Sequence, residues 1–251
     1  MKYVVAQIWK NKAITPYIYN IYEMQVKFPG DCTMPRPGQF AMLYLEDGEL
    51  MLPRPISISN ANENSLTFVY QVVGDGTRKM TSLPLGEPIR VLAPLGKGFH
   101  LGENARTPQK KVCIIGGGIG VAPLVFLAKT LHIQGVELDI YLGFRKKPIL
   151  IDEFEKYGNV HIATESGDAG HHGRVLDIFS NENYDEIMAC GPTPLLHAVA
   201  ELSHKTGIPA QVSVEERMAC GLGTCVGCAL KVDGLYQKIC TEGPVFYSDQ
   251  L

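Results

Sequence analysis

At Lys110 the rhythm of this 251-residue chain changes, and that change decides what it can fold into. Before it, the β-rich runs Tyr3–Trp9, Ile18–Val26, Phe40–Leu45, Ser65–Val73 and Ile89–Ala93 are separated by clusters of Gly, Pro, Asn and Asp. Several short strands at regular spacing predict a small barrel. Helical periodicity is weak there, with one short helix expected over Thr77–Leu83. After Lys110, strands at Lys111–Ile115, Glu137–Gly143, Val160–Thr164, Glu186–Ala189 and Ala210–Val214 alternate with helices near Ala122–Ile133, Ile149–Tyr157 and Pro194–Thr206. Such alternation predicts a parallel sheet with right-handed crossovers. The expected class is β plus α/β: a small antiparallel β-barrel over 1–102, a parallel-sheet domain over 103–212 with its linker at Gly102–Pro108, and a C-terminal module over 213–251.

That last module is too short to build a core alone, and its cysteines explain what holds it. Cys220, Cys225, Cys228 and Cys240 follow the pattern C-x4-C-x2-C with a distant fourth Cys. This is ligand spacing for a [2Fe–2S] cluster, with three thiolates on one tight loop and a fourth from a separate segment. Gly221, Gly223 and Gly227 let the loop turn sharply. Structural zinc is the competing reading, although zinc sites usually draw on two short Cys pairs. Disulfides fit poorly. The chain has seven cysteines, an odd number, and Met1-Lys-Tyr-Val-Val-Ala begins no signal-peptide pattern, so a reducing cytoplasm is expected.

Charge and hydropathy exclude other classes. A formal charge of −3 without a strongly basic run points away from nucleic acid, and no apolar stretch is long enough to span a bilayer. No Ser-His-Asp set or Walker loop is present. His161, His171 and His172 lack metal-ligand context, and Asp152-Glu153 and Glu215-Glu216 read as solvated faces.

Two further motifs bear on cofactors. Arg54-Pro55-Ile56-Ser57 is expected to follow one strand and Gly74-Asp-Gly76-Thr77 another. A flavin nucleotide needs a cation for its pyrophosphate, a hydroxyl or amide at its N5 edge, and a glycine turn opening a helix. Arg54, Ser57 and Gly76-Thr77 suit those needs in turn, though each alone is a weak signal: R-P-x-S is a common tetrapeptide, and Gly74-Asp-Gly is more often just a turn. Further on, Gly116-Gly117-Gly118-Ile-Gly120-Val-Ala-Pro123 lies between a strand and a helix, where a glycine turn cradles pyrophosphate. Pro123 stands where a Rossmann fingerprint has a third glycine, and it suits a first helical turn. The second strand ends Leu142-Gly-Phe-Arg145 without an acid to grip a ribose hydroxyl, so the spacing alone leaves NAD and NADP open.

The order of these motifs resembles the ferredoxin–NADP reductase superfamily over about the first 210 residues. The resemblance implies that Arg54, Pro55, Ile56 and Ser57 line an FAD, with Tyr70, Gln71 and Val72 behind its ring and Gly76 and Thr77 on phosphate. It implies a nicotinamide nucleotide on the glycine turn, near Cys190-Gly191-Pro192; a buried small residue without chemistry is the equal alternative for Cys190. The C-terminal aromatic shield frequent in that superfamily is absent, and the cysteine module stands in its place.

Over its full length the chain resembles the electron-transfer subunits of NAD-linked dihydroorotate dehydrogenases. Leu52–Ser57, Val73–Thr77, Gly116–Leu124, Ala189–Pro192, Met218–Cys228 and Cys240–Phe246 carry that resemblance. It implies FAD, one [2Fe–2S] cluster, NAD, and a catalytic partner carrying FMN and the dihydroorotate site, assembled as a heterotetramer of two subunits of each kind in pyrimidine biosynthesis. Electrons would pass from the partner's FMN through the cluster and FAD to NAD+. The same modules also serve reductase subunits of hydrogenases, sulfite reductases and ferredoxin–NAD(P)H complexes. A zinc-containing nucleotide-sensing module is the non-enzymatic alternative.

Overall fold

The structure is a computed structural model that describes residues 2–15, 20–45, 51–102, 105–106, 108–181 and 183–251. The first part forms a closed antiparallel barrel of β1 (Lys2–Thr15), β2 (Ile21–Lys27), β3 (Phe40–Tyr44), β4 (Arg54–Asn62), β5 (Ser65–Gln71) and β6 (Pro88–Leu95), in the order β1-β2-β5-β4-β3-β6. Helix α1 (Asp75–Thr81) follows β5, two residues earlier than its sequence suggests. The start of the run expected at Ile18, and part of the expected linker, fall outside the described residues.

Strand alternation explains the barrel. Along β3, Ala41 and Leu43 join the barrel core with Met24, Val26, Ile58 and Phe68, while Phe40 and Met42 face outward into a separate apolar cluster. Arg54–Ser57 follows β3 as expected but is itself strand: it opens β4, with Pro in its second position. Pro is tolerated there because it sits at a strand's beginning.

The second part is a seven-stranded sheet in the order β10-β9-β8-β7-β11-β12-β15. Its strands are β7 (Lys111–Gly117), β8 (Glu137–Phe144), β9 (Asn159–Thr164), β10 (His171–His172), β11 (Glu186–Cys190), β12 (Ala210–Ser213) and β15 (Val245–Tyr247). All pair in parallel except β15, which runs antiparallel to β12. Helices α2 (Val121–Ile133), α3 (Ile151–Phe154) and α4 (Thr193–Thr206) connect strands. The helix expected over Ile149–Tyr157 shrinks to the single turn α3. Helix α4 carries Pro in its first turn and ends on Gly207 at φ +75°, the usual proline-in, glycine-out punctuation.

Helix α2 ties barrel to sheet. Phe126 enters the barrel core, Ile21 and Val69 of the barrel join the cluster around α2, and Lys129 Nζ donates to Asn60 Oδ1 at 3.1 Å. Truncating a buried Phe such as Phe126 to Ala costs about 3–5 kcal/mol, so this seam is firm.

Between β12 and β15 the chain makes an excursion that carries the cysteines. It holds the hairpin β13 (Ala229–Val232) and β14 (Leu235–Lys238) and the one-turn helix α5 (Ile239–Glu242). Its apolar side chains Val232, Ile239, Cys228 and Cys240 pack on Phe40, Met42, Leu92 and Leu95 of the barrel. Neither the hairpin nor β15 was expected from the sequence.

Candidate functional site

The four cysteines gather at one end of this excursion, in two pairs. Cys220 Sγ and Cys225 Sγ stand 3.3 Å apart, and Cys228 shares a hydrogen bond with Cys240. The loop's amides turn toward sulfur: Leu222 N–H donates to Cys220 Sγ at 3.4 Å and Gly223 N–H to Cys240 Sγ at 3.2 Å. Lys238 Nζ steadies the loop through Gly223 O at 2.6 Å. A hydrogen bond from Thr224, helped by the Leu222 and Cys225 amides, holds the Cys220 thiol down to about 5, whereas burial and neighbouring Cys228 push Cys240 up to about 12. Among the described residues no three His, Cys, Asp or Glu side chains converge as a set for one metal ion. Two pairs of thiols with amides aimed at sulfur fit a two-iron cluster better than one tetrahedral zinc.

This loop rests on the barrel at a defined point. Gly221, at φ +68°, lies so close to β3 that a Cβ there would stand 2.7 Å from Met42 Cγ. Met42 is in turn directly opposite Pro55 in the β3–β4 register, and Phe40 is opposite Ser57. Opposed residues of an antiparallel pair share a face. Pro55 and Ser57 therefore sit on the side of the sheet where the cysteine module lies.

At the start of β4, the Arg54 guanidinium lies over the Gly74–Gly76 turn; a Cβ on Gly76 would meet Arg54 Cδ and Nη1 at 2.6 Å. Arg54 Nη2 donates to Leu52 O at 2.6 Å, and Nε is buried with no partner among the described residues. An orphaned cationic N–H beside a glycine turn fits an anionic phosphate group. Thr77 is differently engaged: its hydroxyl accepts from Val73 N–H at 2.9 Å and Gly74 N–H at 3.2 Å and donates to Gly74 O, so it shapes the turn. Tyr70 lies on β5 with its ring turned inward. Its side chain is buried in the barrel core, stacked on Tyr22 at 5.9 Å. Gln71 and Val72 are half-buried, and Ile56 leans into the barrel core.

The glycine turn occupies the sheet's switch point, where β7 has β8 on one side and β11 on the other. Ligands of open α/β sheets bind in the crevice outside the carboxyl ends of such strands. Gly116 and Gly117 close β7, Gly118–Gly120 forms a 3-10 turn with Gly118 at φ +54°, and Pro123 is buried in the first turn of α2. Cys190-Gly191-Pro192 packs directly against this turn. A Cβ on Gly120 would stand 2.6 Å from Gly191 Cα, and one on Gly117 would meet Leu195 at 2.7 Å and Pro192 at 3.0 Å. Burial pushes the Cys190 thiol up to about 12, only partly offset by Ser213, so it stays protonated.

Glu165 escaped the sequence reading. Its N–H donates to Phe144 O at 3.0 Å, which sets an exposed acid beside the C-terminal end of β8, where β8 itself carries none. The parallel order β8-β9 was the signal available. Of the three histidines singled out in the sequence, His161 stacks on Tyr141 at 4.4 Å, and His171 and His172 are exposed on β10.

Comparison with known proteins completes the picture. The family model for the iron-sulfur cluster binding domain of dihydroorotate dehydrogenase B matches residues 215–251. The dihydroorotate dehydrogenase B (NAD(+)) electron transfer subunit of Clostridium acetobutylicum is 39% identical over 251 residues, covering 100% of this chain and 97% of the relative. The chain belongs to that family. The corresponding subunit of Caldanaerobacter subterraneus subsp. tengcongensis is 37% identical, covering 98% of this chain and 97% of its own. Among solved structures, an NADH-dependent reduced ferredoxin-NADP oxidoreductase, studied for flavin-based electron bifurcation, superposes with TM-score 0.85 at 27% identity, covering 98% of this chain and 88% of that one. The ferredoxin reductase of carbazole 1,9a-dioxygenase shares the fold at TM-score 0.68 and 19% identity, covering 82% of this chain and 66% of that one. The family is one of oxidoreductase subunits. No helix among the described residues is long and apolar enough to cross a membrane.

Proposed function

We propose that this chain passes electrons between a dihydroorotate-oxidising catalytic subunit carrying FMN and NAD+, in the cytoplasm, within a heterotetramer of two subunits of each kind. The observation that carries the reading is the seat of the cysteine loop on β3, the strand paired with Arg54–Ser57. Cys220, Cys225, Cys228 and Cys240 hold a [2Fe–2S] cluster, the Arg54–Ser57 strand and the Gly76 turn hold FAD, and the crevice bordered by Gly116–Gly120 and Cys190–Pro192 at the carboxyl ends of β7 and β11 holds NAD. The labour divides along the chain as 1–102 for flavin, 103–212 for nucleotide and 213–251 for the cluster, the last returning a strand to the nucleotide sheet. A flavin so bound exchanges a hydride with nicotinamide and single electrons with a cluster.

The chain's own residues bind, orient and exclude water. Arg54 neutralises pyrophosphate, and Ser57, on the cysteine-module side of β4, presents a hydroxyl to the ring edge. Gly120 and Gly191 let the glycine turn and the Cys190–Pro192 segment pack main chain to main chain, so that together they border one nucleotide crevice at the carboxyl ends of β7 and β11. Glu165 accepts a ribose hydroxyl and repels a 2′-phosphate, which favours NAD over NADP. Cys190, held protonated, is a small neutral wall without nucleophilic chemistry. Leu222 and Val226 stand exposed on the cysteine loop and offer an apolar landing for the partner.

The test is co-purification with the catalytic partner under anaerobic conditions, followed by assay of dihydroorotate-dependent NAD+ reduction. Stoichiometric flavin, iron and sulfide with that activity support the reading. A colourless, zinc-containing chain, or a loaded complex inert toward dihydroorotate, would sink it.

A further inference from the structure

Met42 is fully buried and touches both halves of the proposed electron path. It faces out of the barrel with Phe40, while Ala41 and Leu43 face in. On one side is Gly221, next to Cys220, whose added Cβ would lie 2.7 Å from Met42 Cγ and 3.2 Å from Sδ. On the other is Pro55, its cross-strand partner in β4. Leu92 and Leu95 complete the surroundings, so the contact between loop and barrel is apolar and buried.

We propose that Met42 is a positioning residue for electron transfer, its thioether fixing the separation of the cysteine loop from the Arg54–Ser57 strand and filling the space an electron must cross. The inference rests on the functional reading above. An unbranched thioether fills irregular gaps between elements that meet at odd angles. Close-packed atoms also keep the loop from settling at several distances, which a void would permit. No bond forms or breaks at Met42 and it carries no proton. In the NADH-driven direction the flavin centre is oxidised by one electron and the cluster is reduced by one. Met42 sets the span of that step and leaves the preceding hydride transfer alone.

The experiment uses the full chain purified anaerobically, with flavin, iron and sulfide quantified in each variant. Rapid mixing with NADH then follows flavin bleaching and cluster reduction separately, the latter by freeze-quench electron paramagnetic resonance. Met42→Leu, which conserves volume, is expected to reduce its cluster within about twofold of the wild-type rate. Met42→Ala, equally loaded, is expected to bleach its flavin normally but to reduce its cluster about tenfold more slowly. If the alanine chain does not retain its cluster, Met42→Val makes the same comparison from a smaller loss of volume. Unchanged cluster reduction in a loaded alanine or valine variant overturns the inference, as does a leucine variant as slow as the smaller residues. A wild-type chain lacking flavin or cluster would instead refute the functional reading, so the two failures are distinct.

Discussion

Gly120 and Gly191 pack main chain to main chain beside the proposed nucleotide crevice, with no room for a side chain between them: a Cβ on Gly120 would lie 2.6 Å from Gly191 Cα and 2.7 Å from its N. Both neighbours are main chain, which cannot swing aside as a long side chain would. Gly120→Ala should therefore push the turn away from β11 at a cost of about 1–3 kcal/mol. Titration with NADH should show roughly tenfold weaker binding, with flavin and iron contents unchanged. Wild-type affinity in that variant would remove the crevice as the nucleotide site.

Arg54 gives a prediction about flavin retention. Its buried Nε has no partner among the described residues, and its guanidinium lies on the Gly76 turn. Losing a charge-assisted contact costs about 1.5–3 kcal/mol, or roughly one to two orders of magnitude in affinity. Arg54→Gln should release FAD during gel filtration while its iron and sulfide remain stoichiometric. Loss of both centres together would mean that Arg54 supports the fold instead.

The cysteine pairs separate the two electron steps. Cys225→Ser breaks the pair with Cys220. NADH should still bleach the flavin, but the cluster's paramagnetic signal and transfer to the partner should vanish. Coupled dihydroorotate oxidation at the wild-type rate would take the cluster out of the path.

Docking is testable apart from cofactors. Val226 is 75% exposed on the cysteine loop, so a charge there disturbs no core. Val226→Asp should keep full colour and NADH-driven flavin reduction, yet weaken co-purification of the partner about tenfold or more, as desolvating a lone charge at an interface would. Undiminished assembly would move the landing elsewhere.

A buried carboxyl gives a dependence on pH. Glu186 is fully buried, accepts from Gln109 Nε2 and Gln211 Nε2, and is pushed upward mainly by burial. The native chain then holds this proton to higher pH than the unfolded chain does. Its share of stability is full below the ordinary carboxylate range and is lost as pH rises through the native value. Glu186→Gln removes this component. Urea midpoints should show the wild type's margin over the variant shrinking between pH 4 and pH 8; a margin that grows with pH contradicts the assignment.

The sequence made some of this legible for physical reasons that can be named. The change at Lys110 announced a barrel followed by a parallel sheet because strand and helix periods differ. The cysteine spacing announced its chemistry because three ligands on one loop leave few alternatives. Other features depended on distant contacts. Pro55 hid the start of β4, since a proline argues against a strand until one sees that it lies at the strand's beginning. That the Thr77 hydroxyl also braces its own turn shows only in the folded geometry. Tyr70 shares its β5 segment with Gln71, and only the barrel's closure reveals that its ring goes inward. Glu165 and β15 were invisible because each matters through a neighbour far away in sequence.

That final strand changes what kind of object the cysteine segment is. The chain leaves the sheet at Ser213 and re-enters it at Val245, its direct register partner, with Val214 N–H donating to Pro244 O at 2.9 Å. The cysteines thus ride on a loop pinned at both ends by one sheet, as a socket is set into a wall. Closing such a loop costs an entropy that grows only slowly with its length, and the sheet supplies the closure before any metal arrives. A chain stripped of iron by oxidation should keep both anchors and most of its fold. Its cluster is then a replaceable part, rebuilt in place without unfolding the protein around it.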